Sequence, residues 1–289
     1  MQETIPRDTI EISADAFAMI SATLKGVRDF NLDNYKDKCI RRRIAIRIRA
    51  TRCRTAEEYG ELLRQSPVEP DLLLKVLTIH VSQFFRNPAT FEKLRGEIIP
   101  YLLGLRAANG VKRLTFWSVG CASGEEPYSI ALLLKEFFPR EAEKGQISIL
   151  ATDVDAHIID TAIAGTYGEE RLIEVPEPMR ERWFRKEGAR YHLHPEIKGM
   201  VEFRKSDLSD RDSFPESDLI LCRNVLIYFE RLQQDKILNG FADVLHGGGV
   251  LIMGKSETLF GAIRGRFQTI CPIERIYRVV KSAESIKEA

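Results

Sequence analysis

The chain has no apolar run approaching the roughly 20 residues that a membrane-crossing helix needs, and Met1 to Asp15 lacks the basic-then-apolar pattern of a secretion signal. A cytoplasmic protein with no membrane span is therefore expected. Cysteine is sparse. Its five residues, Cys39, Cys53, Cys121, Cys222 and Cys271, are odd in number and never spaced Cys-x-x-Cys. That argues against a disulfide framework and a structural zinc site; reduced, mostly buried thiols and no metal are expected. Excess charge of one sign is also missing, with 43 Lys and Arg against 42 Asp and Glu. A hydrophobic content of 44% is enough for a sizeable core and argues against disorder.

The balanced total hides a local asymmetry. Between Lys36 and Arg54 stand nine bases, among them Arg41, Arg42, Arg43, Arg47 and Arg49, and one acid, Asp37. Such density on one segment suggests an anionic partner.

The first 77 residues read as a small all-helical domain. Ser13 caps a helix over 13–26, closed by Gly26. A second helix runs from about Leu32 to Arg52, with Ile40, Ile44 and Ile48 on one side and arginines on the other. Thr55 and Glu58 form a capping box for a third, Ala56 to Gln65, and a fourth covers Pro70 to Leu77. Residues 78–90 lack a helical stripe and read as a linker, followed by a helix from Ala89 to about Ala108. From residue 112 strands alternate with helices of 10–15 residues, the pattern of a parallel sheet covered on both faces. Strands are expected at 114–119, 147–151, 201–204, 219–222, 250–253 and 275–280, with 166–200 irregular. The fold class is α/β: a Rossmann-like domain over 91–289 behind the helical one.

Three motifs fall at carboxyl ends of strands, where ligands of such sheets bind. Gly120-Cys121-Ala122-Ser123-Gly124-Glu125-Glu126 follows the first strand and opens a helix. Small residues there permit close backbone approach. Two acids at a helix N-terminus would repel a dinucleotide pyrophosphate, which disfavours a nicotinamide dehydrogenase, and would welcome a cation. S-adenosylmethionine, with its sulfonium and ammonium and no phosphate, fits that demand. Asp153 ends the second strand and can accept hydrogen bonds from both ribose hydroxyls. Asn224 follows the buried strand Leu219 to Cys222, and Asp207 follows another, within reach of an adenine amino group.

The segments SQFFR (Ser82 to Arg86), GEEPYSIA (Gly124 to Ala131), ATDVD (Ala151 to Asp155) and CRNVLIYF (Cys222 to Phe229), in this order and spacing, resemble the chemotaxis-receptor methyltransferases of the CheR family. The resemblance covers roughly residues 15–280. It implies an S-adenosylmethionine-dependent protein-glutamate O-methyltransferase, with S-adenosylhomocysteine as the second product. The implied substrate is the cytoplasmic helical bundle of chemoreceptors. It assigns cofactor contacts to His80, Ser82, Arg86, Glu125, Asp153, Asp207, Leu208, Arg223 and Asn224, with Arg86 on the cofactor carboxylate. The basic helix, through Arg41, Arg42, Arg43, Arg47 and Arg49, would dock on the receptor. Residues 166–200 correspond to an inserted β-subdomain that in some members grips a receptor C-terminal pentapeptide. Here the loops between Phe184 and Phe203 are short, so independence of the pentapeptide is expected. His80 stands where the family has asparagine, and Lys255 where histidine is more usual.

A glutamate carboxylate is already ionised near pH 7, so methyl transfer needs no general base. Alignment suffices, and can supply roughly 7–11 kcal/mol. Arg95 and Tyr228 are candidates to orient the incoming carboxylate. A nucleic-acid methyltransferase, with the basic helix on phosphates, would be the main rival. The chain lacks the Asn/Asp-Pro-Pro-Tyr/Phe motif that amino-methylating enzymes of that kind use to hold a flipped base, so no nucleic acid is expected as a partner. A monomer is expected, and a non-catalytic S-adenosylmethionine-binding adaptor is the remaining alternative.

Overall fold

The computed structural model describes residues 10–78, 82–111 and 113–281. Contacts divide the chain into a helical unit, Met1–Ile79 with Tyr228–Glu230, and an α/β unit, His80–Ile227 with Arg231–Ala289. Among the described residues no helix is long and apolar enough to cross a membrane.

In the helical unit, α1 (Ala14–Arg28) starts where Ser13 Oγ accepts the Ala16 amide, and it buries Ala16, Ile20 and Leu24. Gly26 does not end it. The left-handed C-cap is Asp29 (φ 54°), whose carboxylate accepts from Lys25 Nζ; Asp tolerates this conformation better than most residues. The second helix begins later than its periodicity suggests. Leu32–Asn34 form a single 3₁₀ turn, Tyr35 is extended and bridges Phe229, and α2 spans Asp37–Thr51. The Tyr35 ring stacks between Phe30 (5.0 Å) and Phe229 (4.6 Å), and that packing overrides helix continuation. α3 (Ala56–Gln65) has Thr55 as its side-chain cap, while Glu58 accepts from the Arg54 amide. α4 spans Glu69–Leu77.

The basic run is not one solvated face. Arg43 is 5% exposed, donates to the Leu77 carbonyl and lies 4.9 Å over the Tyr228 ring. Arg47 grips the buried Glu69 through two bonds of 2.8 and 2.7 Å, and Tyr59 donates to the same carboxylate. Arg41 pairs with Asp37 and donates to the Ile12 carbonyl. Arg43 and Arg47 thus depart from the docking role expected of them. They share the helix side of Ile40, Ile44 and Ile48 more closely than the exposed side, and their donors satisfy groups that burial would otherwise orphan. Lys38, Arg42, Arg49, Arg52 and Arg54 remain exposed.

The α/β unit opens with α5 (Pro88–Lys93) and α6 (Ile99–Ala108), joined without a break through a π turn at Leu94–Ile98. Pro100, which has no amide to donate, follows that turn and accounts for the widened register. The strands are β1 (Leu114–Val119), β2 (Ile147–Asp153), β3 (Thr166–Gly168), β4 (Phe184–Glu187), β5 (Arg190–Leu193), β6 (Val201–Lys205), β7 (Ser217–Cys222), β8 (Leu245–Met253), β9 (Phe267–Cys271) and β10 (Ile276–Val279). The main sheet runs β6-β2-β1-β7-β8-β10-β9, and its first five strands are parallel. β10 is antiparallel to both neighbours. The stretch 166–200, irregular by periodicity, holds a separate antiparallel sheet, β3-β5-β4. Its strands of three or four residues are too short to show an alternation. α7 (Glu125–Phe137) follows β1. The order reverses between β1 and β7, and the register holds Val119, Thr152 and Cys222 level. The loops after these strands therefore share one edge of the sheet.

Replacing Arg47 by Ala would strand the buried Glu69, and the expected cost is about 3 kcal/mol of unfolding free energy. Arg42→Ala, on the exposed side, should stay within about 0.5 kcal/mol of the parent. Denaturant titration of both variants checks the difference.

Candidate active site

The loop after β1 is built by its backbone. Gly120 (φ 64°), Ala122 (φ 49°) and Gly124 (φ 89°) are all left-handed. A Cβ on Gly120 would come within 2.4 Å of Val225 Cγ2, so the loop after β7 closes directly against it. Asp153, 7% exposed at the end of β2, pins this loop: its carboxylate accepts from the Ala122 amide at 2.9 Å and the Asp155 amide at 3.1 Å. Tyr167, from the inserted sheet, donates to the Ser123 carbonyl at 2.8 Å.

The two acids that open α7 have different surroundings. Glu125 is wholly inaccessible. Ser123 Oγ donates to both of its oxygens at 2.9 and 3.0 Å, the Ser82 side chain bonds to it, and Arg171 stands 3.5 Å away. Burial pushes its carboxyl above the usual carboxylate range, against the pull of these donors. Glu126 accepts from Ser118 Oγ at 2.8 Å and pairs with Arg223 at 3.1 Å. Its charge is spent inside the protein, so of the two acids Glu125 is the one suited to a cationic ligand.

Arg223, expected in the cofactor lining, is held by protein groups. It donates to Glu126, to the Arg86 carbonyl at 2.6 Å and to Asn87 Oδ1 at 2.7 Å, with its guanidinium 5.6 Å over the Phe91 ring. The segment it grips is strained: Phe85 (φ 51°) and Asn87 (φ 62°) are left-handed, a state costing about 1–3 kcal/mol for each such residue. The Phe85 amide donates to Ser129 Oγ in α7 at 2.8 Å, and the Phe84 ring packs edge-on against Tyr167 and Phe184. Ser82 and Arg86 thus lie on a strap beside the start of α7. His80 lies outside the described residues.

After β7, Asn224 is left-handed (φ 62°). The 5%-exposed Glu257 holds it there, accepting the amides of Asn224, Val225, Leu226 and Gly254 at 2.7–3.0 Å. Asp207 turns its carboxylate onto the Ser209 amide beyond β6, and Leu208 beside it is buried. Asp153 is tied to the same turn, its carbonyl accepting from the Ser206 amide.

The two substrate-orienting candidates have different surroundings. Arg95 pairs with Glu92 and stacks 4.6 Å over Phe137. Phe137 is the last residue of α7, about 18 Å along that helix from Glu125, so Arg95 is no longer a candidate. Tyr228 packs in the helical unit, its carbonyl accepting from the Lys36 amide and its ring under Arg43. Arg171 and Glu257 were not foreseen. Neither sits in a periodic segment, and only their partners across the fold show their roles. Lys255 pairs with Glu274, which also accepts from Thr90 Oγ1.

The sequence pattern of the family described as "CheR methyltransferase, SAM binding domain" matches residues 80–273, and that of its all-alpha domain matches residues 15–78. A chemotaxis protein methyltransferase of Listeria innocua is 36% identical over 80% of this chain and 86% of its own length. One from Borreliella burgdorferi is 31% identical over 87% and 91%. An uncharacterized 104.1 kDa protein of Rhodobacter capsulatus is 32% identical over 93% of this chain, which spans only 28% of that protein.

A cation held by Glu125 requires the carboxylate to be ionised. Because burial raises this pKa, affinity for S-adenosylmethionine should fall with falling pH, and the fall should begin at a higher pH than for an exposed glutamate. Glu125→Gln should lower the neutral-pH affinity and flatten that profile. Calorimetry across pH checks both, and a parallel fall in the two proteins would remove Glu125 from the ligand.

Proposed function

The chain belongs to the CheR methyltransferase family, and we propose that it methylates glutamate side chains on the helical bundle of chemoreceptors, forming glutamyl methyl esters. One observation carries the cofactor part of this reading: a fully buried carboxylate, Glu125, at the first turn of α7 over a left-handed glycine loop. An anionic cofactor would meet repulsion there, and a sulfonium and ammonium would meet a partner. Bound at this edge, S-adenosylmethionine supplies an electrophilic methyl group.

The residues divide the remaining work by chemistry. Glu125 faces the ammonium, and Ser82 and Arg86 take the carboxylate end. Asp153, fixed by two amides, would accept from the ribose hydroxyls. Asp207 and Leu208 would hold the adenine, and Asn224 would contact the cofactor's amino-acid end. The incoming glutamate arrives ionised, so no side chain has to remove a proton. Tyr228 stays a candidate to orient it. The exposed bases Lys38, Arg42 and Arg49 on α2 suit an acidic helical partner. β4 and β5 are joined by Gly188 (φ 57°) and Ala189 alone. So tight a hairpin favours recognition without a C-terminal pentapeptide.

Incubation with tritiated S-adenosylmethionine and receptor cytoplasmic fragments should place base-labile label on glutamates. Label that resists base, or none, would sink the proposal. Charge reversal at Lys38, Arg42 and Arg49 together should raise KM for the receptor fragment about tenfold at low salt, with cofactor affinity unchanged. The difference should shrink as screening shortens the Debye length to about 8 Å at physiological salt. An unaltered KM would make this a solvated face.

A further inference from the structure

The strap Ser82–Asn87 is bound from both ends, and the two fastenings share a design. At its start, Arg171 donates to the Ser82 carbonyl and, through its own carbonyl, accepts the Phe84 amide at 3.0 Å. The same guanidinium stands 3.5 Å from Glu125. At its end, Arg223 donates to the Arg86 carbonyl and to Asn87 Oδ1 while paired with Glu126. Each arginine therefore bridges one edge of the strap to one of the two adjacent acids that open α7. Between them the Phe85 amide is bonded to Ser129, one turn further along α7.

We propose that Arg171 and Arg223 are positioning residues that clasp this strained strap onto the first turn of α7, with Arg223–Glu126 the permanent fastening and Arg171–Glu125 the one that cofactor binding releases. The distinction follows from burial and distance. The Arg223 and Glu126 side chains are 3% and 13% exposed at 3.1 Å, and Glu126 holds a second bond from Ser118. Arg171 is 31% exposed at 3.5 Å from its acid, so it can turn to solvent. Among the described residues Glu125 has Arg171 as its cationic partner, and an ammonium arriving there replaces Arg171 without leaving the acid unpaired. Arg171 ends the 3₁₀ turn Glu169–Arg171 that follows β3, so cofactor occupancy is felt at the inserted sheet. This inference rests on the cofactor assignment above.

Backbone hydrogen exchange of the cofactor-free protein tests the clasp by itself. Arg223→Met should speed exchange at Phe85 to Thr90 at least about tenfold while β1 and β7 keep the parental rate. Glu126→Gln should act in the same direction, and the double variant should be no worse than Arg223→Met alone, because the pair acts as a unit. Arg223→Lys, which keeps the charge but lacks the fork, should show an intermediate loosening and serves if the methionine variant does not fold. In calorimetry, Arg223→Met should weaken S-adenosylmethionine and S-adenosylhomocysteine alike. Arg171→Gln should leave exchange at Phe85 to Thr90 near the parental rate and move the pH profile of cofactor affinity upward, since Glu125 loses a neighbouring cation. Exchange that Arg223→Met leaves unchanged, or raises evenly over the whole unit, would overturn the clasp. A pH profile unmoved by Arg171→Gln would overturn the releasable fastening. Failure of the parent to bind S-adenosylmethionine would instead overturn the cofactor assignment, and the exchange result would still stand.

Discussion

A carboxylate taken out of water must be given donors, and the ligand edge of this sheet is organised by four that are. Asp153 is satisfied by loop amides, Glu257 by amides from two loops, Glu126 by a guanidinium and a hydroxyl, and Glu125 by hydroxyls with a guanidinium close by. Each set of donors fixes a different backbone segment. Asp153 sets the loop after β1, Glu257 sets the left-handed turn at Asn224, and the two α7 acids reach the strap through their arginines. The geometry of the edge is thus in large part a consequence of desolvated charge being satisfied.

The same economy governs the helical unit. Arg43 and Arg47 are turned inward to meet a carbonyl and a buried glutamate, leaving Lys38, Arg42 and Arg49 to present charge outward. A basic helix can therefore serve structure and recognition at once, the division depending on which side of the apolar stripe each arginine falls. In the α/β unit, arginine is again a partner of buried acids, because its planar fork bonds several acceptors simultaneously. Arg223 meets a carboxylate, a carbonyl and an amide oxygen in this way.

Strain is concentrated where function is expected. Phe85, Asn87, Ala122 and Asn224 are non-glycine residues in the left-handed region, and all lie on the strap or on the loops after β1 and β7. Neighbouring groups over-determine each of them, which is the condition under which such conformations persist. Arg52 and Asp29, by contrast, are ordinary helix C-caps, and Arg275 (φ 55°) belongs to the turn between β9 and β10.

The sequence by itself determined the class of fold, the limits of most helices and strands, and the chemical character of the site. Hydrophobic period, caps and glycine are local signals, and the acids after Gly124 and at Asp153 are read from their places at strand ends. It also led to the family, through four short motifs in order. Its periodicity could not show that Tyr35 leaves its helix to pair with Phe229, that 166–200 contains the sheet which the family resemblance implies, or that β9 exists, since these depend on partners distant along the chain. Nor could it separate Glu125 from Glu126, or Arg42 from Arg47. Adjacent residues of one type carry identical local signals, and only the tertiary structure decides which meets a guanidinium, which a hydroxyl and which the solvent. Desolvation and pairing are properties of the folded surroundings, and they assign different work to residues that the chain presents as equals.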